Sequence, residues 1–519
     1  MQPRAFFTKH TSMNLVILLA ALVKFGIHLY TAPGYSFFFD EFYTAALSRH
    51  LAFGYVDVPP LTPALMALSR ALLGESLLAM HIFPALAGAF TLVFICLMVK
   101  EFGGRTFAVA LAALGFLGGT LWLSLNSIFA YDSFDQLILV GFFLILVRLL
   151  KTGNRRLWLA LGLLAGLALN TKMTLLFMGP GFLAALLISR QRRDLLTPWP
   201  WLGALLCLAL LSPYLIWQVV NGWPTLEYWT AYSSVRVYQA SLWQYFLNIL
   251  AYMSPFLLPF WIAGLYRLFR RMDGVNYSFF GILFLGTLAL LFGLSATIRL
   301  LAAAFMPLLA AGAVCFEELT ERIITRFPWR RLAQSALLAY LAVGLVFTAP
   351  GSLPIFPVDA LPAYTQLLRP LYQSTREFHG QSNYLPIMLF GRTGWEEVVQ
   401  NVADEFNKLP EQERAVAGIY SDWYWTAGAI DMLGPRHGLP HAVSGSLTYY
   451  LWGPVYSWDV MLLLTNRTNP MDVFFNQCEN KGPVKYQSPL MQGNNLYIFV
   501  CRDPKIPPER IWSTARSFR

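Results

Sequence analysis

The sequence predicts a polytopic α-helical membrane protein with a smaller α/β domain at its C-terminal end, and two observations support this fold class. The first is composition: 56% of the 519 residues are hydrophobic and only 13% are charged, whereas about a quarter of a soluble domain is charged. The second is a change along the chain. Apolar runs of about twenty residues, enough to cross a bilayer, recur within residues 1–349. Residues 350–519 are polar and punctuated by glycine, proline and asparagine.

Eleven apolar runs are predicted to form transmembrane helices. They are residues 14–30, 78–99, 106–124, 133–150, 157–170, 173–189, 200–220, 246–266, 276–295, 299–316 and 333–349. With the N-terminus in the cytoplasm, the inner connections hold fifteen lysines and arginines and the outer ones hold five. This asymmetry follows the positive-inside rule and predicts a multi-pass membrane protein whose C-terminal domain lies outside the cytoplasm. It also accounts for the net charge of +10, so nucleic acid is not expected as a partner.

The first outer connection, residues 32–75, carries two adjacent carboxylates, Asp40 and Glu41, among aromatic residues that include Tyr43. Apolar residues at helical spacing after Asp40 predict an interfacial amphipathic helix that ends at Gly54. Asp40 can therefore be the N-cap of this helix, a member of an active site, or both. A cap position also fixes a carboxylate rigidly, so the two interpretations are compatible.

Other polar residues are expected on the outer side near the bilayer. They are Asp57 ahead of a Pro-Pro pair, Asn126, Asp132 and Asp135 in the second connection, Lys172 in the third and Arg299 in the fifth. Asp132 and Asp135 are three residues apart at the start of an apolar helix, so they can share one face or only cap the helix. Asp57 can equally be a turn residue. Lys172 and Arg299 lie at helix ends, where a cation can extend to lipid phosphates.

The polar tail is predicted to fold as a small α/β domain. Short apolar strands at 415–420, 442–444, 460–464 and 496–501 alternate with helix-like stretches at 422–433 and 470–477. Two of the five cysteines, Cys478 and Cys501, lie in this tail, where they can form a disulfide if the tail is periplasmic. The other three lie in apolar runs.

Outer-side carboxylates and cations are more informative together than singly. A carboxylate can take a proton from an acceptor hydroxyl or hold a metal ion. Cations at headgroup depth can bind a lipid-linked phosphate and stabilise it as it leaves. An enzyme that uses a polyprenyl-phosphate-linked sugar donor needs both kinds of group, because the sugar must project outside while the lipid chain stays in the bilayer.

Three elements of the sequence resemble the bacterial branch of the dolichyl-phosphate-mannose protein mannosyltransferases. These are the Asp40-Glu41 pair after the first helix, the Gly-Tyr-Val-Asp-x-Pro-Pro-Leu element at 54–61, and the carboxylates of the second connection. Tail segments at 429–435, 443–446 and 451–454 are similar as well. The family consists of GT-C glycosyltransferases related to the lipid A aminoarabinose transferases. The resemblance implies transfer of a sugar, with inversion, from a polyprenyl-phosphate-linked sugar to a glycolipid, polysaccharide or protein acceptor on the outer face. It also implies a location in the bacterial inner membrane, with the C-terminal domain in the periplasm.

The resemblance also implies roles for individual residues. Asp40 would be the general base, with Glu41 beside it organising donor or acceptor. Asp135 matches the family's carboxylate in the second connection, so Asp132 is a departure from the pattern and the division of roles between the two stays open. Lys172 and Arg299 would bind the donor phosphate.

Contacts with the substrates are expected from a further set of outer-side residues. Its members are Asp57, Asn126, Tyr43 and aromatics of the loop at 221–245, namely Trp223, Tyr228, Trp229 and Tyr232. Each of these loop aromatics can instead belong to an interfacial aromatic belt. Members of the family differ over metal use, so a divalent ion is possible and none is assigned.

Two other functions are compatible with such a chain. A transporter or flippase of lipid-linked sugars would carry out no chemistry, and such proteins commonly show internal repeats and broken helices with polar groups at mid-membrane. No convincing repeat is present, and most ionisable groups lie near helix ends. A related transferase for O-antigen or another polymer would differ only in its acceptor.

Overall fold

The computed structural model describes residues 3–235, 241–272, 274–324, 326–367, 387–466, 473–487 and 495–518. Helices dominate as far as residue 367. They are α1 (Pro3–Thr31), α2 (Phe39–Arg49), α3 (Leu61–Leu73), α4 (Leu77–Glu101), α5 (Thr106–Leu117), α6 (Thr120–Leu125), α7 (Tyr131–Thr152), α8 (Leu157–Leu169), α9 (Thr174–Ile188), α10 (Pro198–Val220), α11 (Pro224–Val235), α12 (Leu242–Met253), α13 (Leu258–Leu268), α14 (Ser278–Gly293), α15 (Phe305–Ile323), α16 (Phe327–Thr348) and α17 (Leu361–Leu367). A two-residue hairpin, β1 (Arg271–Met272) and β2 (Val275–Asn276), precedes α14.

Each apolar run predicted to cross the membrane lies mainly on helical backbone, which confirms the polytopic helical fold. Within the described residues, six helices are long and apolar enough to span a bilayer, and two bent helix pairs raise this number to eight. Shorter apolar helices include α5, α8 and α14. The number of eleven crossings therefore stays a prediction.

Two of the predicted runs are interrupted, and the local structure at each break shows why. The run at 106–124 divides into α5 and α6 at Gly118–Gly119, where a Cβ on Gly119 would lie 2.3 Å from the ring of Trp122. The run at 246–266 bends by 96° between α12 and the following helix. Ser254 has a φ of 81° there, and Pro255 cannot continue a helix from the preceding residue.

The first outer connection forms two helices. The predicted interfacial helix is α2, which begins at Phe39 beside Asp40 and ends at Arg49 rather than at Gly54. Gly54 instead lies under Trp217 of α10, whose ring would be 2.6 Å from an added Cβ. The second helix, α3, presents buried Met66 on one face and leucines at least 42% exposed on the other.

The C-terminal part, here called the sheet region (residues 387–518), contains one mixed sheet. Its strands are β3 (Gly418–Ser421), β4 (Ala442–Ser444), β5 (Val460–Thr465), β6 (Phe475–Pro483) and β7 (Tyr497–Pro504), in the order β4-β3-β5-β7-β6. The first three are parallel, and β7 runs antiparallel to both β5 and β6. Its helices are α18 (Ile387–Phe390), α19 (Trp395–Asn407), α20 (Glu411–Arg414), α21 (Tyr424–Leu433), α22 (Thr448–Leu451) and α23 (Pro508–Ala515).

The predicted tail elements compare well with this sheet, with one exception. The four predicted strands correspond to β3, β4, β5 and β7, and the helix predicted at 422–433 is α21. The helix predicted at 470–477 is wrong where it can be compared, because residues 475–477 begin β6; residues 470–472 lie outside the described residues. Cys478 and Cys501 are paired residues of β6 and β7 and form a disulfide.

One hydrophobic core joins the first outer connection to the sheet region. It combines Phe42 and Val56 of that connection with Ile430 of α21 and Leu462 of β5. A separate core fills the helical bundle. Burial of this shared apolar surface stabilises the packing of α2 against the sheet region.

Candidate functional site

A cavity of about 900 Å³ opens beside the first outer connection. Three of the predicted charged site residues line it: Asp57, Lys172 and Arg299. The rest of the lining is Val58, Pro59, Tyr131, Thr171, Met173, Thr174, Phe177, Tyr228, Trp229, Tyr232, Ser233, Leu294, Ser295, Ala296, Thr297 and Leu300. Two cations and a carboxylate thus share one cavity with apolar residues such as Phe177 and Leu300, which suits a ligand with a charged head and an apolar body.

Asp40 lies in the first turn of α2, outside the cavity lining but within the electrostatic field of Arg299 and Asp132. Its Oδ1 accepts a hydrogen bond from the hydroxyl of Tyr424, 2.9 Å away on α21. Burial raises the pKa of Asp40 to about 6, against the lowering effects of the Tyr424 hydroxyl and the Arg299 charge; Asp132 and Glu41 raise it further. The carboxylate is therefore mostly ionised at neutral pH yet basic enough to accept a proton.

Glu41 faces the protein interior and is fully buried. Its Oε2 accepts from the backbone N–H of Phe38 at 2.7 Å. Its Oε1 lies 2.7 Å from Nε2 of His81 and accepts from the backbone N–H of Phe129 at 2.5 Å. Burial opposes the ionised form, but the charge and hydrogen bond of His81 outweigh it and hold the pKa of Glu41 below its usual value. Glu41 thus fixes the start of α2, and with it Asp40.

Asp57 forms a second carboxylate–tyrosine pair. The Tyr43 hydroxyl donates to Asp57 Oδ1 at 2.7 Å and accepts from the backbone N–H of Thr448 at 3.2 Å. Burial raises the pKa of Asp57 to about 7. The rings of Tyr43 and Tyr424 are 4.5 Å apart, so the two carboxylate–tyrosine pairs are neighbours. Of the predicted substrate contacts, Tyr43 therefore orients Asp57 and does not itself line the cavity.

The second outer connection supplies Asp132, which forms an ion pair with Lys172. The ammonium group of Lys172 also lies 4.9 Å from the ring centre of Tyr131, which orients it further. Asp135, one turn along α7, is 4% exposed; it interacts electrostatically with Lys172, and its Oδ1 has no hydrogen-bond partner. The two aspartates therefore share the same face, as their spacing predicts, and Asp132 makes the direct contact.

Asn126 lies apart from these residues. Its side chain is fully buried and packs against Gly88 of α4, where an added Cβ would lie 2.7 Å from the amide carbon. It is not in the cavity lining. Of the four loop aromatics named in the sequence analysis, Tyr228, Trp229 and Tyr232 line the cavity, whereas Trp223 does not.

Several residues that act on the site were missed in the sequence. Tyr424 and Thr448 come from the sheet region, and His81 comes from α4. Arg392 is fully buried; its Nε donates to the backbone oxygen of Ser36 at 3.1 Å, and its backbone oxygen accepts from Ser36 N–H at 3.2 Å. The only signal for any of them is the Trp-Tyr-Trp run around Tyr424, because their partners lie far away in sequence.

A metal site was left open by the sequence, so the donor set was tested for one. Among the described residues, no three His, Cys, Asp or Glu side chains are grouped so that they could hold a metal ion. Asp40 and Asp57 each accept a hydrogen bond from a tyrosine hydroxyl, and Asp132 pairs with Lys172. These residues do not fit a metal centre, and no step is assigned to one.

Comparison with known proteins agrees with the architecture. Residues 57–217 match the family described as dolichyl-phosphate-mannose-protein mannosyltransferase. The chain is similar to ArnT from Cupriavidus metallidurans bound to undecaprenyl phosphate, with 12% identity and a TM-score of 0.57 over 94% of this chain and 97% of that one. Its apo state gives 11% identity and 0.57 over 95% and 98%.

A more distant likeness is to the archaeal oligosaccharyltransferase AglB from Archaeoglobus fulgidus in complex with an inhibitory peptide and a dolichol-phosphate. It gives 12% identity and a TM-score of 0.50 over 84% of this chain and 64% of that one. No match was found among curated protein sequences. None of these comparisons supports the transporter alternative. The family match spans Asp57, Asp132 and Lys172, and the fold likeness extends over nearly the whole length, so the chain has the multi-pass GT-C fold of these structures.

Proposed function

We propose that the protein transfers a sugar, with inversion at the anomeric carbon, from a polyprenyl-phosphate donor to an acceptor on the outer face of the bacterial inner membrane. The observation that carries the proposal is the placement of Asp40. A carboxylate with a pKa of about 6 is held by Tyr424 within the electrostatic reach of Arg299, which lines the cavity together with Lys172. A general base beside a cationic cavity is what this reaction requires.

The proposed step follows from these groups. The phosphate of the donor binds Lys172 and Arg299, and its lipid chain leaves the apolar part of the cavity toward the bilayer. Asp40 takes the proton from an acceptor O–H or N–H as the nucleophile forms a bond to the anomeric carbon. The bond from that carbon to the phosphate oxygen breaks, and its electron pair leaves with the polyprenyl phosphate. The two cations stabilise the charge that develops there.

The remaining predicted residues take supporting roles in this scheme. Glu41 positions Asp40 through the start of α2, and Asp57 offers a second carboxylate at the cavity wall for a hydroxyl or amine of the substrate. Asp132 orients Lys172 through their ion pair, while Asp135 acts on Lys172 only through its charge. The ligands named for ArnT and AglB, undecaprenyl phosphate and dolichol-phosphate, support a polyprenyl phosphate as the carrier.

The proposed orientation places residues 1–349 as the membrane domain and residues 350–519 as a periplasmic domain. The basic inner connections support it. So does the disulfide between Cys478 and Cys501, because disulfides persist in the periplasm and are rare in the cytoplasm.

The decisive experiment replaces Asp40 by asparagine in the purified full-length protein, reconstituted in liposomes with a labelled undecaprenyl-phosphate sugar. Loss of a general base lowers rates by about 10²- to 10⁴-fold, so release of undecaprenyl phosphate should fall by that factor while thermal stability is kept. Asp404→Asn, at an exposed position of α19, is the matched control and should leave the rate unchanged. Wild-type release by Asp40→Asn would refute the proposal, and translocation of intact donor by both proteins would favour a flippase.

A further inference from the structure

Three aromatic side chains surround the Asp40–Tyr424 pair on the side of the sheet region. Trp423 and Trp425 flank Tyr424 in sequence, and their rings stack 4.6 Å apart at an interplanar angle of 8°. Phe39, which precedes Asp40, lies 5.7 Å from the ring of Trp425. We call these three residues, Phe39, Trp423 and Trp425, the aromatic platform.

The two tryptophans of the aromatic platform differ from the aromatic residues of the core, whereas Phe39 packs against the core of the helical bundle. All three side chains are partly exposed. Neither Trp423 nor Trp425 belongs to the buried apolar clusters. In the described part of the chain, neither indole N–H donates a hydrogen bond, whereas the buried indoles of Trp122 and Trp395 each find a backbone acceptor. Because Trp423 and Trp425 stack on each other, one face of each ring is covered. The platform thus offers a ligand the remaining exposed ring surface and two indole N–H donors.

The platform is also held rigidly against Asp40. Phe39 and Asp40 are consecutive residues of α2, and the Tyr424 hydroxyl bonds to the carboxylate at 2.9 Å. Four residues beyond Tyr424, Gly428 brings α21 against α2 so closely that an added Cβ would lie 2.8 Å from the backbone of Phe42. A molecule resting on the platform is therefore kept at a fixed distance from the proposed base.

The chemistry of the platform matches a sugar ring. A pyranose has an apolar face of C–H groups that packs on an aromatic ring, and hydroxyls at its rim that accept from an N–H or donate to a carboxylate. Trp and Tyr side chains serve such mixed ligands because they join a large apolar surface to a polar atom. The cavity with Lys172 and Arg299 is a different surface, since no platform residue lines it.

From this arrangement we propose that the acceptor is a carbohydrate, and that its sugar ring stacks on Trp425 with the attacking hydroxyl directed at Asp40. The inference rests on the proposed transferase function and names the acceptor class for it. The donor phosphate and the acceptor ring then approach Asp40 from two separate surfaces, which an inverting displacement needs because nucleophile and leaving group lie on opposite sides of the anomeric carbon.

The test uses the full-length protein in host membrane vesicles, which contain the native acceptors, with the labelled undecaprenyl-phosphate sugar as donor. The label is expected in a product that resists protease and is degraded as a glycan. Trp425→Ala should raise the KM for acceptor about tenfold, the factor that one aromatic contact is worth. The KM for donor and the slow hydrolysis of donor without acceptor should not change, and Trp425→Phe should recover part of the loss.

The control is Trp452→Ala, which removes a partly exposed indole of the same region that stacks on His50 and not on the platform. It should leave the acceptor KM at the wild-type value. A protease-sensitive product, no labelled glycan at all, or an unchanged acceptor KM in Trp425→Ala would each overturn the inference. In these cases the proposed function would still stand if Asp40→Asn abolishes donor turnover. If Asp40→Asn keeps donor turnover, the proposed function is wrong as well.

Discussion

Replacing Tyr424 by phenylalanine is expected to shift the acidic limb of the pH–rate profile to higher pH without removing activity at high pH. The hydroxyl of Tyr424 donates to Asp40 Oδ1 at 2.9 Å and lowers the pKa of a carboxylate that burial raises to about 6. Removing the hydroxyl leaves the burial and the Arg299 charge in place. The ionised form alone loses a hydrogen bond, so the pKa of Asp40 must rise.

The size of the shift follows from that bond. A hydrogen bond to a charged group contributes about 1.5–3 kcal/mol, and one pKa unit corresponds to 1.36 kcal/mol, so the pKa should rise by about 1–2 units. At about pH 6.5 the ionised fraction of Asp40 would fall from about three quarters to about a quarter or less. The rate should therefore fall at least about threefold there, and recover to nearly the wild-type value at about pH 9.

The assay is release of undecaprenyl phosphate from labelled donor in liposomes, measured between about pH 5 and pH 9. Tyr449→Phe is the matched control, because the Tyr449 hydroxyl donates to another buried carboxylate, Asp431, at 2.7 Å. This control should lower thermal stability and leave the pH limb in place. If Tyr424→Phe lowers the rate equally at every pH, then the limb does not report Asp40, and the reasoning about its ionisation is wrong.

Two further predictions concern the cations and the packing of α2. Arg299→Met should weaken binding of undecaprenyl phosphate about ten- to a hundredfold, the value of a hydrogen bond to a charged group, and should raise the pKa of Asp40 because a nearby positive charge is removed. Isothermal titration measures the affinity and the pH–rate profile measures the pKa, with Lys408→Met at an exposed position as the control. Unchanged affinity would exclude Arg299 from the phosphate site. Gly428→Ala should lower the free energy of unfolding by about 1–3 kcal/mol and reduce activity, because the new Cβ would lie 2.8 Å from Phe42. Thermal denaturation measures the loss of stability, and the control is Gly26→Ala, where an added Cβ meets nothing within 4 Å. Equal stability of the two variants would contradict the close packing.

Much of the fold could be predicted because membrane helices and alternating apolar strands leave local signals in the sequence. The start of α2 beside Asp40 followed from helical spacing, and β3, β4, β5 and β7 from short apolar runs. The break at Gly119 could not be predicted, because it depends on how close the Trp122 ring lies. Residues 475–477 were assigned to a helix because their pairing with β7 is a tertiary contact without a local pattern.

The candidate site was predictable only in part, for a similar reason. Carboxylates and cations in outer connections stand out in an apolar chain, so Asp57, Lys172 and Arg299 could be named from the sequence. That they line one cavity could not. The sequence carries no local signal for whether a side chain is buried or for which distant residue it contacts. Glu41 and Asp40 are adjacent in sequence, yet one points into the interior toward His81 and the other toward Tyr424.

The core shared by the first outer connection and the sheet region has a consequence for biosynthesis. Asp40 is made early, but the hydroxyl that holds it is added 384 residues later. Contacts so distant in sequence form late in folding, so the nascent chain can insert its helices before Asp40 has its hydrogen bond from Tyr424. If the proposed function holds, the site is complete only when the sheet region has closed on α2. A chain that loses its C-terminal residues to truncation or proteolysis would therefore stay in the membrane as an inactive protein, unable to consume polyprenyl donor.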